Sequence, residues 1–284
     1  MVTGDPVVIG ASAISTVGAD SATVHEVTYE SHNAQPLIYV TDIDETLVDD
    51  PETATQACVA AGAVSLLGDD TIRGNGFADL INGYWGNDLL CGRDGDDQLF
   101  GDEGDDALNG GAGADLLDEG GGFDRASYAT ALAGVTIDLS DNANNTEDAV
   151  GDVLVSIELV AGSRYDDILS GSAQGDMLMG MDGDDVIYGQ AGDDTPLGKS
   201  GNDILYGGDG NDWLDGGPGE DTIHAGTGDD WIVGQLGCSG YDGGDGVDTV
   251  DYSALAYALD LNDYFGAPFH SVEIIILSDF DDFL

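Results

Sequence analysis

The sequence predicts an all-β protein, built as a coil of short strands joined by tight turns. Three observations support this prediction: a nine-residue repeat that runs through more than half of the chain, a glycine content of 45 in 284 residues, and one apolar position that recurs in every repeat. One inward side chain in every nine residues does not fit the 3.6-residue period of an amphipathic helix, but it fits a short strand.

The repeats form two arrays. Residues 65–127 divide without a gap into seven nonapeptides, and residues 162–251 divide into ten more. The two arrays start 97 residues apart, which is not a multiple of nine, so they lie in separate frames. Two repeats would complete a circuit of 18 residues, and successive circuits would stack equivalent side chains in columns about 4.8 Å apart.

Three positions of the nonapeptide carry the pattern. Position eight is apolar in almost every repeat, and we predict that it points into the core. Position four is glycine in 14 of 17 repeats, the exceptions being Phe77, Tyr165 and Gln174, and glycine permits the positive φ angles of a tight turn. Position six is aspartate in 16 of 17 repeats, and only Ser239 departs from the rule.

The charge of the chain predicts a cation partner. It has 57 acidic and only 5 basic residues, a formal charge of −52, which makes nucleic acid and anionic membranes poor partners. Stacked carboxylates repel each other, and Ca²⁺ takes six to eight oxygens from carboxylates and backbone carbonyls. We therefore predict that calcium is bound by the position-six residues Asp70, Asp79, Asp88, Asp97, Asp106, Asp115, Asp124, Asp167, Asp176, Asp185, Asp194, Asp203, Asp212, Asp221, Asp230 and Asp248.

The nonapeptides, such as GGDGNDWLD at residues 207–215, resemble the RTX (repeats-in-toxin) pattern GGxGxDxUx, the haemolysin-type calcium-binding repeat. The resemblance implies a right-handed parallel β-roll that holds each ion between loops two repeats apart. It also implies about ten calcium ions, with weaker sites at Gln174, Pro196 and Ser239. Relatives of this kind are bacterial proteins that leave the cell by type I secretion.

The sequence divides into five segments. An N-terminal β-rich cap or degenerate lead-in module (1–64) precedes the first array (65–127), and an inter-array strand-pair module (128–161) precedes the second (162–251). The C-terminal strand module (252–284) is a candidate secretion signal or the start of a further array. We expect two stacks of coil with the strand modules as caps, because terminal repeats must cover their apolar faces.

The two strand modules match each other in sequence. Tyr252 corresponds to Tyr128, and the run Ser271-Val-Glu corresponds to Ser156-Ile-Glu. The match favours a common origin for the modules, and it favours a chain that is a fragment of a longer array protein. A terminal acidic and apolar export signal remains open beside it.

We expect no enzyme activity from this chain. Asp42 and Asp44 lie in a DxDxT run typical of haloacid-dehalogenase-like phosphatases, but the only lysine, Lys199, lies inside a repeat.

No apolar run reaches membrane-spanning length, and no cleaved signal peptide is expected. The sequence therefore predicts a secreted or cell-surface protein that folds on binding calcium and has a structural, adhesive or surface role. Its other partners would be the type I secretion machinery and a cell-surface or matrix component. The alternative is the calcium-binding appendage of a secreted enzyme or toxin whose catalytic domain lies elsewhere.

Overall fold

The computed structural model describes residues 68–235, 240–255 and 269–277. This part of the chain contains 22 β-strands and two 3₁₀ helices, Asn142–Asn144 and Glu147–Ala149. Asp42, Asp44, Ser239 and the segment 1–64 lie outside the described residues, as does much of the segment 252–284. Within the described residues every pairing between named strands is parallel. The predicted all-β coil of stacked parallel strands is therefore confirmed.

The strands, numbered in chain order, belong to four sheets that make two faces of the coil. The first face has a seven-stranded and a four-stranded sheet. The seven strands are β1 (Thr71–Arg73), β3 (Leu89–Asp94), β5 (Ala107–Ala112), β7 (Arg125–Ser127), β10 (Leu159–Ala161), β12 (Met177–Asp182) and β14 (Thr195–Ser200). The four strands are β16 (Trp213–Leu214), β18 (Trp231–Val233), β20 (Thr249–Asp251) and β22 (Ile274–Ile276).

The second face also consists of a four-stranded and a seven-stranded sheet. The four strands are β2 (Leu80–Trp85), β4 (Gln98–Glu103), β6 (Leu116–Asp118) and β9 (Val153–Val155). The seven strands are β8 (Thr136–Asp138), β11 (Ile168–Ser170), β13 (Val186–Ala191), β15 (Ile204–Asp209), β17 (Thr222–Thr227), β19 (Gly240–Asp245) and β21 (Phe269–His270). Within each array, successive strands of the chain alternate between the two faces.

The register of the strands shows an 18-residue circuit. Ile72 pairs with Leu90, and Ile204 pairs with Thr222, each 18 residues further on. Many strands are longer than the three residues expected, because pairing continues into positions one to three of the next nonapeptide. At Tyr84, in position two, φ is +73°, so the chain bends there while its neighbours stay hydrogen-bonded to the next turn.

The core is the column of position-eight side chains. In every described repeat this residue is buried; Ile81, Leu90 and Leu205, for example, have no exposed surface. Because each such side chain lies one strand spacing from its equivalent in the next turn, the core is a continuous ladder rather than a central cluster. The predicted inward column is confirmed.

The segment between the arrays continues the coil. Strand β7, at the end of the first array, pairs with β10, which pairs with β12 of the second array. The expectation of two separate stacks with a capping insert is therefore corrected. The physical reason is that Ile137, Leu154 and Val160 of the inserted segment are buried like position-eight residues, so stacking buries apolar surface across the junction.

Pro196 occupies the inward position eight of strand β14, as the sequence predicted, and it is buried. It has no N–H to donate to the next turn, which weakens a strand ladder. The seven-stranded sheet of the first face ends at β14, and an isolated bridge between Leu197 and Asp215 links it to the next turn. The coil continues past the proline, because the N–H groups of Trp213 and Asp215 donate to the carbonyl oxygens of Asp194 and Pro196 at 2.9 and 3.1 Å, and the ladder lacks the bond that Pro196 cannot donate.

Candidate metal centre

All sixteen position-six aspartates predicted to bind metal are buried, with at most 5% of the side chain exposed. They form two columns, one along each edge of the coil where the chain passes from one face to the other. The first column is Asp70, Asp88, Asp106, Asp124, Asp176, Asp194, Asp212, Asp230 and Asp248. The second column is Asp79, Asp97, Asp115, Asp167, Asp185, Asp203 and Asp221.

One oxygen of most of these carboxylates accepts a hydrogen bond from the backbone of the preceding turn. The backbone N–H of Asp79 donates to Oδ1 of Asp97 at 2.7 Å, and the N–H of Asp176 donates to Oδ1 of Asp194 at 2.8 Å. The same bond, with an offset of 18 residues, recurs along both columns. This bond explains why position six accepts aspartate even before any metal is considered: its carboxylate binds a backbone N–H of the neighbouring turn.

The second carboxylate oxygen, Oδ2, has no hydrogen-bond partner in twelve of these residues, although it is buried. They are Asp88, Asp97, Asp106, Asp115, Asp124, Asp185, Asp194, Asp203, Asp212, Asp221, Asp230 and Asp248. A buried charged oxygen without a donor is costly, and a bound cation is one of the few groups that can satisfy it. Such a row of oxygens is what a series of calcium sites requires.

The glycine at position one leaves the space in which these oxygens meet. A Cβ at Gly92 would lie 2.1 Å from Oδ2 of Asp97 and 2.6 Å from the carbonyl oxygen of Gly110. At Gly198 the corresponding distances are 2.3 Å to Oδ2 of Asp203 and 2.5 Å to the carbonyl oxygen of Gly216. A carboxylate of one turn and a carbonyl of the next therefore converge beside these two glycines, which is the mixed oxygen set that Ca²⁺ prefers.

Backbone carbonyls are needed to complete any such site. Within residues 68–235, 240–255 and 269–277, no three His, Cys, Asp or Glu side chains are grouped so that they could hold a metal ion. Each ion must therefore take carbonyl oxygens of the glycine-rich turns in addition to the carboxylates. The fit of the residues to calcium depends on both kinds of ligand.

Burial shifts the titration of these carboxyl groups. Desolvation, followed by repulsion from neighbouring aspartates, raises the pKa of Asp88, Asp97 and Asp185 from 3.8 to about 7, against the lowering effect of a backbone N–H. In the same way the pKa of Asp194 and Asp212 rises to about 6. Without a cation, the folded coil therefore holds these groups in their charged form at a cost.

Three turns differ from the others, because donors of the chain itself satisfy the second oxygen. The donor and acceptor pairs are Asn75 with Asp79, Ser163 with Asp167 and Ser172 with Asp176. The backbone N–H of Ser172 lies 2.6 Å from Oδ2 of Asp176, and the Ser172 hydroxyl donates to the same atom at 2.9 Å. These carboxylates need no cation to complete their hydrogen bonding.

The three self-satisfied turns are the three repeats without glycine at position four, whose residues there are Phe77, Tyr165 and Gln174. The sequence predicted a weaker calcium site at Gln174. The structure supplies a physical reason for that expectation, because the second oxygen of Asp176 already has donors. The same reason predicts weaker calcium sites at the turns of Asp79 and Asp167. Two of the three turns open the second array.

Side chains at position five form a second, exposed ladder. The N–H of Asn202 donates to Oδ1 of Asp184 at 2.8 Å, and the N–H of Glu220 donates to Oδ1 of Asn202 at 3.0 Å. Here the side chain bonds to the following turn, whereas a position-six side chain bonds to the preceding one. The Asp and Asn residues of position five thus bind the backbone of the coil.

The sequence did not predict three acidic residues that continue the columns. Oε2 of Glu158 accepts from the N–H of Asp124 at 3.1 Å, and Oε2 of Glu273 accepts from the N–H of Asp248 at 2.9 Å. The match of Ser156-Ile-Glu with Ser271-Val-Glu was the signal that could have identified both. Asp152 accepts from the N–H of Asp115 at 2.8 Å, and no spacing in the sequence pointed to it.

The chain itself satisfies the second carboxylate oxygen of Asp152. Its Oδ2 accepts a hydrogen bond of 2.9 Å from the hydroxyl of Tyr128, and both side chains are buried. Burial raises the pKa of Asp152 to about 7, and the tyrosine hydroxyl opposes the rise. In the inserted segment, therefore, a tyrosine hydroxyl donates to the kind of oxygen that has no donor in most position-six residues.

The sequence also did not predict a role for Glu119. It occupies position one, which is elsewhere glycine or, at Ala225, alanine in the described repeats. Its side chain is fully buried and both carboxylate oxygens lack a hydrogen-bond partner. Burial, and then the charges of Asp124 and Asp106, raise its pKa to about 10. The replacement of glycine by glutamate was the signal in the sequence.

The family profile of the RTX calcium-binding nonapeptide repeat matches the chain in four copies, at residues 66–99, 92–126, 161–196 and 197–232. Two copies lie in the first array and two in the second, apart from one residue at its start. No curated protein matches the chain. Among the described residues there is no helix of the length and apolarity needed to cross a membrane. With the repeat columns, the buried carboxylates and the stacked parallel strands, the family match identifies the chain as an RTX-type calcium-binding repeat protein.

Proposed function

We propose that this chain is a secreted protein whose coil folds when it binds several calcium ions outside the cell, and that the folded coil has a structural, adhesive or surface role. One observation carries the proposal: twelve buried position-six carboxylates each have an oxygen without a hydrogen-bond donor. A protein that folded without a cation would have to bury all of these charges unsatisfied.

The charge balance supports folding outside the cell. With 5 basic residues against 57 acidic ones, the chain cannot neutralise its own columns. Extracellular calcium modules bind at about 10⁻⁴–10⁻³ M, a concentration range that an exporting cell does not offer inside. A ligand that binds only the folded state adds about 2.7 kcal/mol per independent site when it is present at 100 times its Kd. Several sites together could therefore decide whether the coil folds.

That the chain itself is not an enzyme is part of the proposal. The carboxylates of both columns are at most 5% exposed, and one oxygen of most of them is bound to a backbone N–H. Such groups cannot reach a substrate. A second candidate function is the calcium-binding part of a larger secreted enzyme or toxin. It is favoured by the architecture of the described residues, nearly all of which belong to the stacked β-strand turns. The complete reading frame of the gene distinguishes the two candidates.

Circular dichroism of the full chain tests the calcium-dependent folding. In chelator at pH 7.5 we expect a spectrum of an unfolded chain, and in millimolar Ca²⁺ a β spectrum, with bound calcium counted by atomic emission. Mg²⁺ at the same concentration is the matched control, because its strict octahedral geometry suits these turns poorly. A chain that stays folded in chelator and binds no calcium contradicts the proposal.

Secretion needs a separate experiment. The chain would be expressed in bacteria with and without a type I exporter, and its amount in the medium compared. Recovery from the medium only when the exporter is present would support the proposed route. Equal amounts in both media would argue against it.

A further inference from the structure

Glu119 lies where the first array meets the inserted segment. A Cβ at Gly101 would lie 2.7 Å from the carbonyl oxygen of Glu119 and 2.3 Å from Oδ2 of Asp106, so these two oxygens converge beside that glycine. The N–H of Glu119 donates to the carbonyl oxygen of Val155 at 3.2 Å. The backbone of Glu119 is thus fixed between the turn that contains Asp106 and the inserted strand β9.

The side chain of Glu119 adds a carboxylate where other turns have none. Position one faces the position-six carboxylate of its own repeat, as Gly101 faces Asp106, so Glu119 faces Asp124. Oδ2 of both aspartates lacks a donor. Glu158 is close enough to repel the Glu119 charge, and one of its own oxygens accepts from the N–H of Asp124. The carboxylates of Asp124, Asp106 and Glu158 are therefore all near enough to act on the charge of Glu119.

The basic residue nearby does not neutralise this charge. Arg125 is close enough to interact electrostatically with Glu119, but the two form no hydrogen bond, and Nε of Arg125 is itself buried without a partner. Both oxygens of Glu119 are likewise buried and without a donor. Without a cation, a carboxyl group in this situation keeps its proton, and a calcium ion bound at the junction would replace that proton and pair with the carboxylate.

We propose that the Glu119 carboxylate, together with Asp106 and Asp124 of two stacked turns, holds one Ca²⁺ ion more tightly than the turns that have glycine at position one. The inference rests on the proposed calcium-dependent function and assigns to one turn a different kind of site. In the repeat turns, an ion meets carboxylates of position six and backbone carbonyls. At the junction it also meets the Glu119 side chain, and calcium affinity rises with the number of charged ligands.

The ion must draw the Glu119 side chain towards it. The acidic groups of the described residues do not yet enclose a single point. No hydrogen bond of the Glu119 carboxylate has to break for it to bind a cation. The carbonyl oxygen of Glu119 and Oδ2 of Asp106 already lie together beside Gly101 and would form the fixed part of the site.

Equilibrium dialysis of the full chain against a series of free calcium concentrations tests the proposal. A stabilising osmolyte keeps the coil folded throughout, so that binding is separated from folding. The wild type is compared with Glu119→Gln, which keeps the size of the side chain, and with Glu119→Gly, which restores the residue of most other turns. Glu220→Gln removes an exposed carboxylate of the second array and serves as the control for charge.

We expect one ion in the wild type to bind at a free calcium concentration about tenfold or more below that of the others. Both Glu119 variants should lose this early ion and retain the rest, and Glu220→Gln should keep it. Superimposable curves for the wild type and both Glu119 variants would overturn the inference while leaving the proposed function intact. A wild type that binds no calcium would overturn the proposed function itself.

Discussion

Replacing Asp194 by asparagine should change the stability of the calcium-free and the calcium-loaded coil in opposite directions. An asparagine keeps the oxygen that accepts from the N–H of Asp176 at 2.8 Å. Its amide nitrogen would take the place of the unpartnered Oδ2. A Cβ added at Gly189 would lie 2.6 Å from that Oδ2 and 2.3 Å from the carbonyl oxygen of Gly207. The new amide N–H would lie on the side of the Gly207 carbonyl oxygen, which can accept from it, whereas the carboxylate oxygen has no donor there.

The magnitude follows from the pKa of the group. Burial, opposed by the Asp176 N–H, raises the pKa of Asp194 from 3.8 to about 6, so its charge at neutral pH costs the calcium-free coil up to about 3 kcal/mol. Asparagine carries no charge, so the substitution should restore part of this lost stability to the calcium-free coil. In calcium the same change removes a charged ligand, and each tenfold loss of affinity corresponds to about 1.4 kcal/mol.

Two titrations followed by circular dichroism measure the effects. In chelator, a stabilising osmolyte drives folding, and Asp194→Asn should lower the midpoint concentration of osmolyte. In saturating calcium, urea should unfold the variant at a lower concentration than the wild type.

The matched control is Asp176→Asn, in the same column. Oδ2 of Asp176 already accepts two hydrogen bonds from Ser172, so this substitution should destabilise the chelated coil by about 1–3 kcal/mol. If Asp194→Asn also destabilises the chelated coil, the reasoning about unpartnered oxygens is refuted.

Three further predictions concern pH, the core and the turns. Burial raises the pKa of Asp97 from 3.8 to about 7, so between these pH values the calcium-free coil binds a proton that the unfolded chain has lost. The stability of the calcium-free coil should therefore be greatest below about pH 4 and fall as the pH rises to about 7. Circular dichroism in chelator measures this change. Leu205→Ala, at a fully buried position eight, should destabilise the calcium-loaded coil by about 2–5 kcal/mol in urea unfolding. At Gly210, φ is +144° and an added Cβ would lie 1.8 Å from the carbonyl oxygen of Gly192, so Gly210→Ala should lower the melting temperature sharply. The control is Gly76→Ala, where an added Cβ would have no atom within 4 Å and the melting temperature should stay nearly unchanged.

The repeat columns are the part of the fold that could be predicted from sequence. A residue that recurs once in nine positions and is always apolar has to face the core, and Leu90 and Leu205 are fully buried as expected. The stacking of the position-six aspartates in columns followed from the same periodicity. Local pattern and global fold agree here because each turn repeats the environment of the previous one.

The junction between the arrays could not be predicted in the same way. The inserted segment has no nonapeptide frame, so nothing in the sequence showed that Leu154 and Val160 continue the core column. The division of the aspartates into two classes also depended on the structure. Whether Oδ2 is satisfied is decided by donors at position two, such as the N–H of Ser172, whose direction depends on the local backbone angles.

Each turn of the coil pairs with the turn before it and the turn after it, and this has a consequence for how such a gene can change. A duplication or deletion of 18 residues would add or remove one turn of about 4.8 Å and preserve the pairing of every other turn. A change of nine residues would instead exchange the two edges of the coil for all later turns. The coil tolerates even an irregular addition, since Leu159 pairs with Arg125 across the inserted segment. Insertions or deletions of whole turns therefore change the length of the coil in steps of one strand spacing.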